Sequence, residues 1–197
     1  TPGFITDMVF HSRGYETPTL SVIWTALSLM SWVLKREAWF KWTPKHLFTN
    51  QYIVIVGPAG VVKKTTAVSD IAMPILKTFR SYIQDPQIAG MKHIHVVKDK
   101  ITPEAMIQSM LPENKEGTKF YLKDKRGEMI IVNGKAVPYE KTSESAIIIS
   151  ELSVFLSKAT YQTEMIQILL DLYDCKDEWS YETKGGGKKK LRNLHTN

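Results

Sequence analysis

Gly57-Pro58-Ala59-Gly60-Val61-Val62 is a short glycine-led loop that ends on Lys63-Lys64-Thr65-Thr66. A loop of this kind can turn backbone N–H groups toward an anion, a lysine can neutralise phosphate charge, and a hydroxyl can ligate magnesium. The whole stretch from Gly57 to Thr66 is therefore a candidate nucleotide-phosphate site. Two alignments to the phosphate-loop pattern are open. With Lys63 as the phosphate lysine the spacing is kept, but Val62 replaces a glycine and Lys64 stands where a hydroxyl should be. With Lys64 in that role the loop is one residue longer and Thr65 falls at the magnesium position. The second is preferred, because an ammonium cannot ligate a cation.

The other candidate chemistry is Ala146-Ile147-Ile148-Ile149-Ser150-Glu151. An apolar run ending in a polar pair is what a buried strand looks like when its carboxyl end delivers side chains to a magnesium-nucleotide site. Glu151 would polarise the attacking water and Ser150 would hold a metal-bound water. The competing reading is that Glu151 only opens the next helix, where an acid favours the dipole.

The elements that must position these residues are those of an α/β domain with a largely parallel sheet. Tyr52-Ile53-Val54-Ile55-Val56 is β-branched, uncharged and short, which predicts a strand buried on both faces. Thr65 to Met73 reads as a helix whose first turn presents N–H groups to an anion, continuing through Ile71, Ile75, Leu76, Phe79 and Ile83 with a kink at Pro74. Before the loop, Glu16-Thr17-Pro18 predicts a helix start. Leu20, Ile23, Trp24, Leu27, Met30 and Leu34 then form an apolar side, and Ser21, Thr25, Ser28 and Ser31 a polar one. Although Thr17 to Leu34 carries no charge, this amphipathy argues for packing on a domain rather than a membrane span. Trp39, Trp42 and Phe48 are expected to pack under the sheet rather than to form a base-stacking platform.

Beyond the loop, His93 to Val97 predicts a strand and Thr102-Pro103-Glu104 a helix through Met106, Ile107 and Met110. Residues 119–140 predict an antiparallel hairpin insertion, signalled by Asn133-Gly134 between apolar runs. Helices through Leu152, Phe155 and Leu156, and through Met165, Ile166, Leu169, Leu170 and Tyr173, follow. Lys184-Gly185-Gly186-Gly187-Lys188-Lys189-Lys190 predicts a mobile cationic loop able to follow a nucleic-acid backbone.

At 197 residues the chain is long enough for an α/β core, and its net charge of +6 is unevenly spread. Lys184, Lys188, Lys189, Lys190 and Arg192 supply five cations after Thr183 with no acid among them, so the rest is close to neutral. That distribution suggests a local nucleic-acid contact rather than a general coating. One cysteine, Cys175, excludes an internal disulfide and a cysteine-based zinc site, and fits a reducing compartment. His93 and His95 read as surface or filler residues rather than ligands. The first residues show no initiator methionine and no signal-peptide pattern, and the chain is expected to be an excerpt of a longer one.

Glu16-Thr17-Pro18, Trp24-Thr25-Ala26-Leu27-Ser28, Asn50-Gln51-Tyr52, Lys64-Thr65-Thr66-Ala67, Ile101-Thr102-Pro103-Glu104, Ile149-Ser150-Glu151-Leu152 and Tyr181-Glu182-Thr183-Lys184 occur in an order that resembles a family of P-loop ATPases. These are encoded by bacteriophages and mobile elements, often as the helicase portion of primase-helicases. The resemblance spans nearly the whole chain. It implies a P-loop NTPase core, RecA-like or related ring ATPase, over residues 51–197, with residues 1–50 as a helical segment packed on it. It further implies ATP and magnesium as cofactors, single-stranded DNA and a primase as partners, a ring of copies, and the cytoplasm, the host's for a phage protein. Family members often carry a basic residue before the phosphate lysine and Ser-Glu where other ATPases show Asp-Glu, which supports Lys64 with Thr65 and makes Ser150 regular. The arginine a neighbouring subunit would insert stays open among Arg80, Arg126 and Arg192. Two other classes compete: a duplex-DNA packaging motor, and a nucleotide-binding assembly module with little turnover. A nucleoside-phosphate kinase, which needs an arginine-rich lid, ranks last.

Overall fold

The computed structural model describes residues 3–58, 62–83, 95–98, 101–111, 120–121, 128–136, 138–139, 143–156, 159–183, 187–192 and 194–196. The chain packs as two units, Thr1–Phe79 and Arg80–Thr196. Each is described by itself.

The first unit opens with α1 (Phe4–His11), a 3-10 turn (Ser12–Tyr15) and α2 (Thr19–Leu34), and α1 packs on α2. Pro18 occupies the cap position of α2 rather than its first turn. A hairpin of β1 (Trp39–Trp42) and β2 (Lys45–Phe48) follows. After the loop come a single turn α3 (Lys64–Thr66), a π-helical turn (Ala67–Ala72) and α4 (Met73–Ile83), which belongs to this unit as far as Phe79. The π turn sits just before Pro74, which has no N–H to offer and whose ring crowds the carbonyl four residues back. Widening the turn relieves this: the Met73 N–H donates to the Val68 carbonyl, five residues back.

The buried side of α2 differs from the expected one. Ser21, Val22, Thr25, Ala26, Leu29, Ser31 and Trp32 are buried, whereas Leu20, Trp24, Met30 and Leu34 are exposed, Leu20 at 66%. The hydroxyls make this possible by finding partners close by. Thr25 Oγ1 donates to the Ser21 carbonyl at 2.8 Å, and Ser31 Oγ donates to the Thr49 carbonyl. Small residues then let the helix approach the π turn, whose Ala67, Ile71 and Ala72 are buried in turn.

The strand expected at Tyr52–Val56 is not formed: residues 51–58 carry no regular element. Their exposure alternates, Val56 reaching 84%, as in extended chain lying along a surface rather than inside a sheet. Nor do the aromatics before it pack under a sheet. Trp39, Phe40 and Trp42 are all exposed on the β1–β2 hairpin.

The second unit holds the parallel sheet. Its elements are β3 (His95–Lys98), α5 (Pro103–Met110), β4 (Phe120–Tyr121), β5 (Ile131–Val132), β6 (Lys135–Ala136), β7 (Pro138–Tyr139), β8 (Glu144–Ile148), α6 (Leu152–Phe155), α7 (Ala159–Tyr173), β9 (Glu178–Thr183), β10 (Gly187–Arg192) and β11 (His195–Thr196). The strand order β11-β8-β3 is parallel throughout, which makes the unit α/β. Thr102 caps α5 by accepting from the Ala105 N–H at 3.3 Å, with Pro103 in the first turn. β5 and β6 pair about Asn133 and Gly134, both at positive φ, as an Asn-Gly hairpin requires. β4 and β7 extend the same antiparallel excursion.

The core of this unit gathers Val97, Met106, Ile107, Met110, Phe155, Met165, Ile168, Leu172, Leu191 and Leu194. On α7 the buried stripe is Met165, Ile168 and Leu172 with Leu169 packed against it; of the expected residues Met165 is buried, whereas Ile166, Leu170 and Tyr173 are exposed. The expected cationic loop is in part a strand as well: Lys188, Lys189 and Lys190 lie in β10, paired with Glu182, Tyr181 and Ser180 of β9.

A candidate phosphate loop and a carboxylate at a strand end

In the first unit, the two lysines of the loop point to different partners. Lys64 Nζ donates to the Gly57 carbonyl at 3.0 Å, reaching back across the loop to its first residue. Lys63 is exposed, takes a left-handed φ of 42°, and pairs with the Glu16 carboxylate. That hydrogen bond, and then the lysine's charge, hold the Glu16 carboxyl below its ordinary value. The turn at Lys63 starts the helix, its carbonyl accepting from the Thr66 N–H at 3.1 Å and from the Ala67 N–H at 3.4 Å.

The loop is also closed at its neck by packing. A Cβ built on Gly57 would lie 2.2 Å from Val62 Cγ2, so no larger residue fits there while Val62 keeps its place. Gly57 and Pro58 are described, and Ala59, Gly60 and Val61 lie outside the described residues. Thr65 is exposed and Thr66 half-buried in the first turn, where the Thr66 N–H is already taken by the Lys63 carbonyl. A cationic side chain, a glycine-led neck and a helix start therefore converge on one loop.

In the second unit, β8 is the central strand, with Ser143, Glu144, Ser145 and Ala146 buried at its beginning. Its carboxyl end runs through Ile149 into Ser150 and Glu151, both exposed. The Glu151 carbonyl accepts from the Phe155 N–H at 3.1 Å, so this residue does open α6. Opening a helix and presenting a carboxylate at the carboxyl end of a central parallel strand are compatible, and that end is where ligands of open α/β sheets bind.

Thr65 in the first unit and Ser150 in the second each offer an exposed hydroxyl, a donor type that suits a hard cation. Among the described residues no group of three or more His, Cys, Asp and Glu could hold a resident metal.

The basic segment is only partly available for an anion. Lys190 Nζ lies 2.7 Å from Glu178, whose carboxyl is held below its ordinary value by that hydrogen bond, and Arg192 Nε is 3.8 Å from the same carboxylate. Lys188 stands opposite Glu182, and Lys184 lies outside the described residues. Arg80 and Arg126 cannot be compared with Arg192 as inserted arginines, because the Arg80 side chain and the whole of Arg126 fall outside the description.

Sequence reasoning did not find the Gly57–Val62 neck or the β9–β10 ladder. The ladder had a signal in the alternation Trp179-Ser180-Tyr181-Glu182 before three glycines. Compared with protein-family models, curated proteins and solved structures, the chain has no match. No described helix is long and apolar enough to cross a membrane.

Proposed function

We propose that the chain is the nucleotide-binding core of an ATP-dependent motor that moves along single-stranded DNA, as in the helicase part of phage-type replication proteins. The observation that carries this reading is the division of labour between the lysines: Lys64 closes the loop on Gly57 while Lys63 is drawn aside by Glu16. A lysine held on a backbone carbonyl at the start of a helix can exchange that carbonyl for phosphate oxygens. N–H groups of the loop from Gly57 to Lys64 would hold the phosphates, and Lys64 would neutralise the terminal ones. Thr65 and Ser150 would hold magnesium, which offsets phosphate charge when bound. Glu151 would orient the attacking water. A ring of copies, a primase partner, the host cytoplasm and strand contacts from Lys184, Lys188, Lys189 and Lys190 belong to the same proposal.

A second reading has specific support. The glycine usual before the phosphate lysine is missing, replaced by Lys63 in the preferred alignment and by Val62 in the other, and Ser150 replaces an acid. Both favour an assembly module that binds nucleotide and turns it over little. ATP hydrolysis decides between them, measured with no DNA, with single strands and with duplex, for the parent and for Glu151→Gln. Single-strand stimulation, with Glu151→Gln binding ATP but not hydrolysing it, supports the motor. Stimulation by duplex alone points to a packaging motor, and binding without turnover in the parent points to the assembly module.

A further inference from the structure

The β1–β2 hairpin exposes aromatic rings on both faces, a costly arrangement for two short strands that no described strand extends. Directly opposed residues share a face, so Trp39, Lys41, His46 and Phe48 lie on one side and Phe40, Trp42, Lys45 and Leu47 on the other. The first side is occupied by its own members. The Trp39 and His46 rings are 4.2 Å apart, and the Arg36 guanidinium sits 4.2 Å over Phe48.

The second side is open. Phe40 is 63% and Trp42 61% exposed, and their centroids lie 6.3 Å apart at 43°, so neither ring covers the other. Lys45 stands directly across from Trp42 on this side, and from Trp39 to Phe48 there is no carboxylate. Cores of protein interfaces are depleted in lysine. Exposed rings beside a cation and free of acids suit the bases and phosphates of a single strand.

We infer that the β1–β2 hairpin is a single-stranded DNA site in which Phe40 and Trp42 stack on bases and Lys45, on the same side, meets a phosphate. The inference rests on the proposed motor for the class of polymer, and adds a contact surface separate from the basic strand β10. Its base is fixed by the Ser31–Thr49 hydrogen bond, and residues 50–56 lead from there to Gly57.

The test is anisotropy of labelled oligothymidine over a range of salt, without nucleotide, with thermal melting and sedimentation of each variant. Phe40→Ala/Trp42→Ala is expected to weaken binding about tenfold or more with an unchanged salt slope. Phe40→Leu/Trp42→Leu is expected to do the same, since leucine offers no ring to stack on. Lys45→Ala should lower the salt slope by about 0.7. Unchanged affinity in the alanine pair overturns the inference, as does full binding by the leucine pair, or tighter binding of oligouridine than of oligothymidine. Conversion of an oligomer to monomer by the alanine pair also overturns it, assigning the face to a second copy. ATP binding is measured separately. Hairpin-dependent DNA binding without ATP binding sinks only the motor, and ATP binding with a hairpin indifferent to DNA sinks only this site.

Discussion

Lys64 Nζ and the Gly57 carbonyl are 3.0 Å apart, so the loop's last residue bonds to its first, while the adjacent Lys63 is held by Glu16 outside the loop. The two lysines should therefore respond differently to removal. Lys64→Ala is expected to weaken ATP binding about tenfold or more, the scale of a lost hydrogen bond to a charged group. Lys63→Ala should stay within about twofold, because its ion pair is exposed and screened. Calorimetric titration with a non-hydrolysed ATP analogue distinguishes them, and the reverse order would give the loop its other alignment.

Gly57→Ala should open the neck. The added methyl meets a branched side chain rather than a flexible tip, so overpacking of about 1–3 kcal/mol is expected, with weaker nucleotide binding. Val62→Ala removes the atoms in the way, and the double variant Gly57→Ala/Val62→Ala should recover most of the lost stability. Chemical denaturation of the four proteins in this cycle measures the coupling.

Asp171 and Lys176 form a pair at 2.6 Å. The hydrogen bond from Lys176 is the main cause that holds the Asp171 carboxyl below its ordinary value, and the same bond raises Lys176 above its own. The unfolded chain thus takes up a proton at Asp171 before the folded one does as pH falls. The pair's stabilisation is full above the ordinary carboxylate range and is lost as pH falls through the folded value; on the alkaline side it is lost as pH rises through the raised lysine value. Since both side chains are partly exposed, Asp171→Asn should cost about 0.5–1 kcal/mol at neutral pH. Urea unfolding should show that difference shrink and then vanish as pH falls through and below the ordinary carboxylate range.

Met106 is fully buried in the second unit's core, and Met106→Ala is expected to cost about 2–5 kcal/mol. Ile166→Ala, on the outward side of α7, should stay within about 0.5 kcal/mol. Equal losses would place the buried stripe of α7 wrongly. Thermal melting is sufficient to separate the two.

Local rules read well from these residues. Thr102-Pro103 starts α5 and Asn133-Gly134 turns a hairpin, since cap and turn chemistry acts over a few neighbours. Central β8, with Ser150 and Glu151 at its end, also follows from its apolar run. The side a helix buries was not legible where apolar residues occur all round it: on α2 the hydroxyls are satisfied locally and go inside, and on α7 two apolar stripes compete. Tyr52–Val56 has the composition of a buried strand but no ladder partner among the described residues, and propensity cannot supply one. The β1–β2 hairpin escaped because Thr43-Pro44 is not a strong hairpin signal, yet Thr43 adopts a φ of 53° there.

The π turn at Ala67–Ala72 carries one residue more than an α turn, which advances the helix beyond it by about 100° around the axis. Lys64 and Thr65 are therefore set at one angular phase, and the buried Met73 and Leu76 at another. Deleting a single residue from this turn would bring the two segments into step and swing Lys64 away from Gly57 or Leu76 out of the core. The helix behaves as a keyed joint, in which six residues fix the aim of a lysine that precedes them.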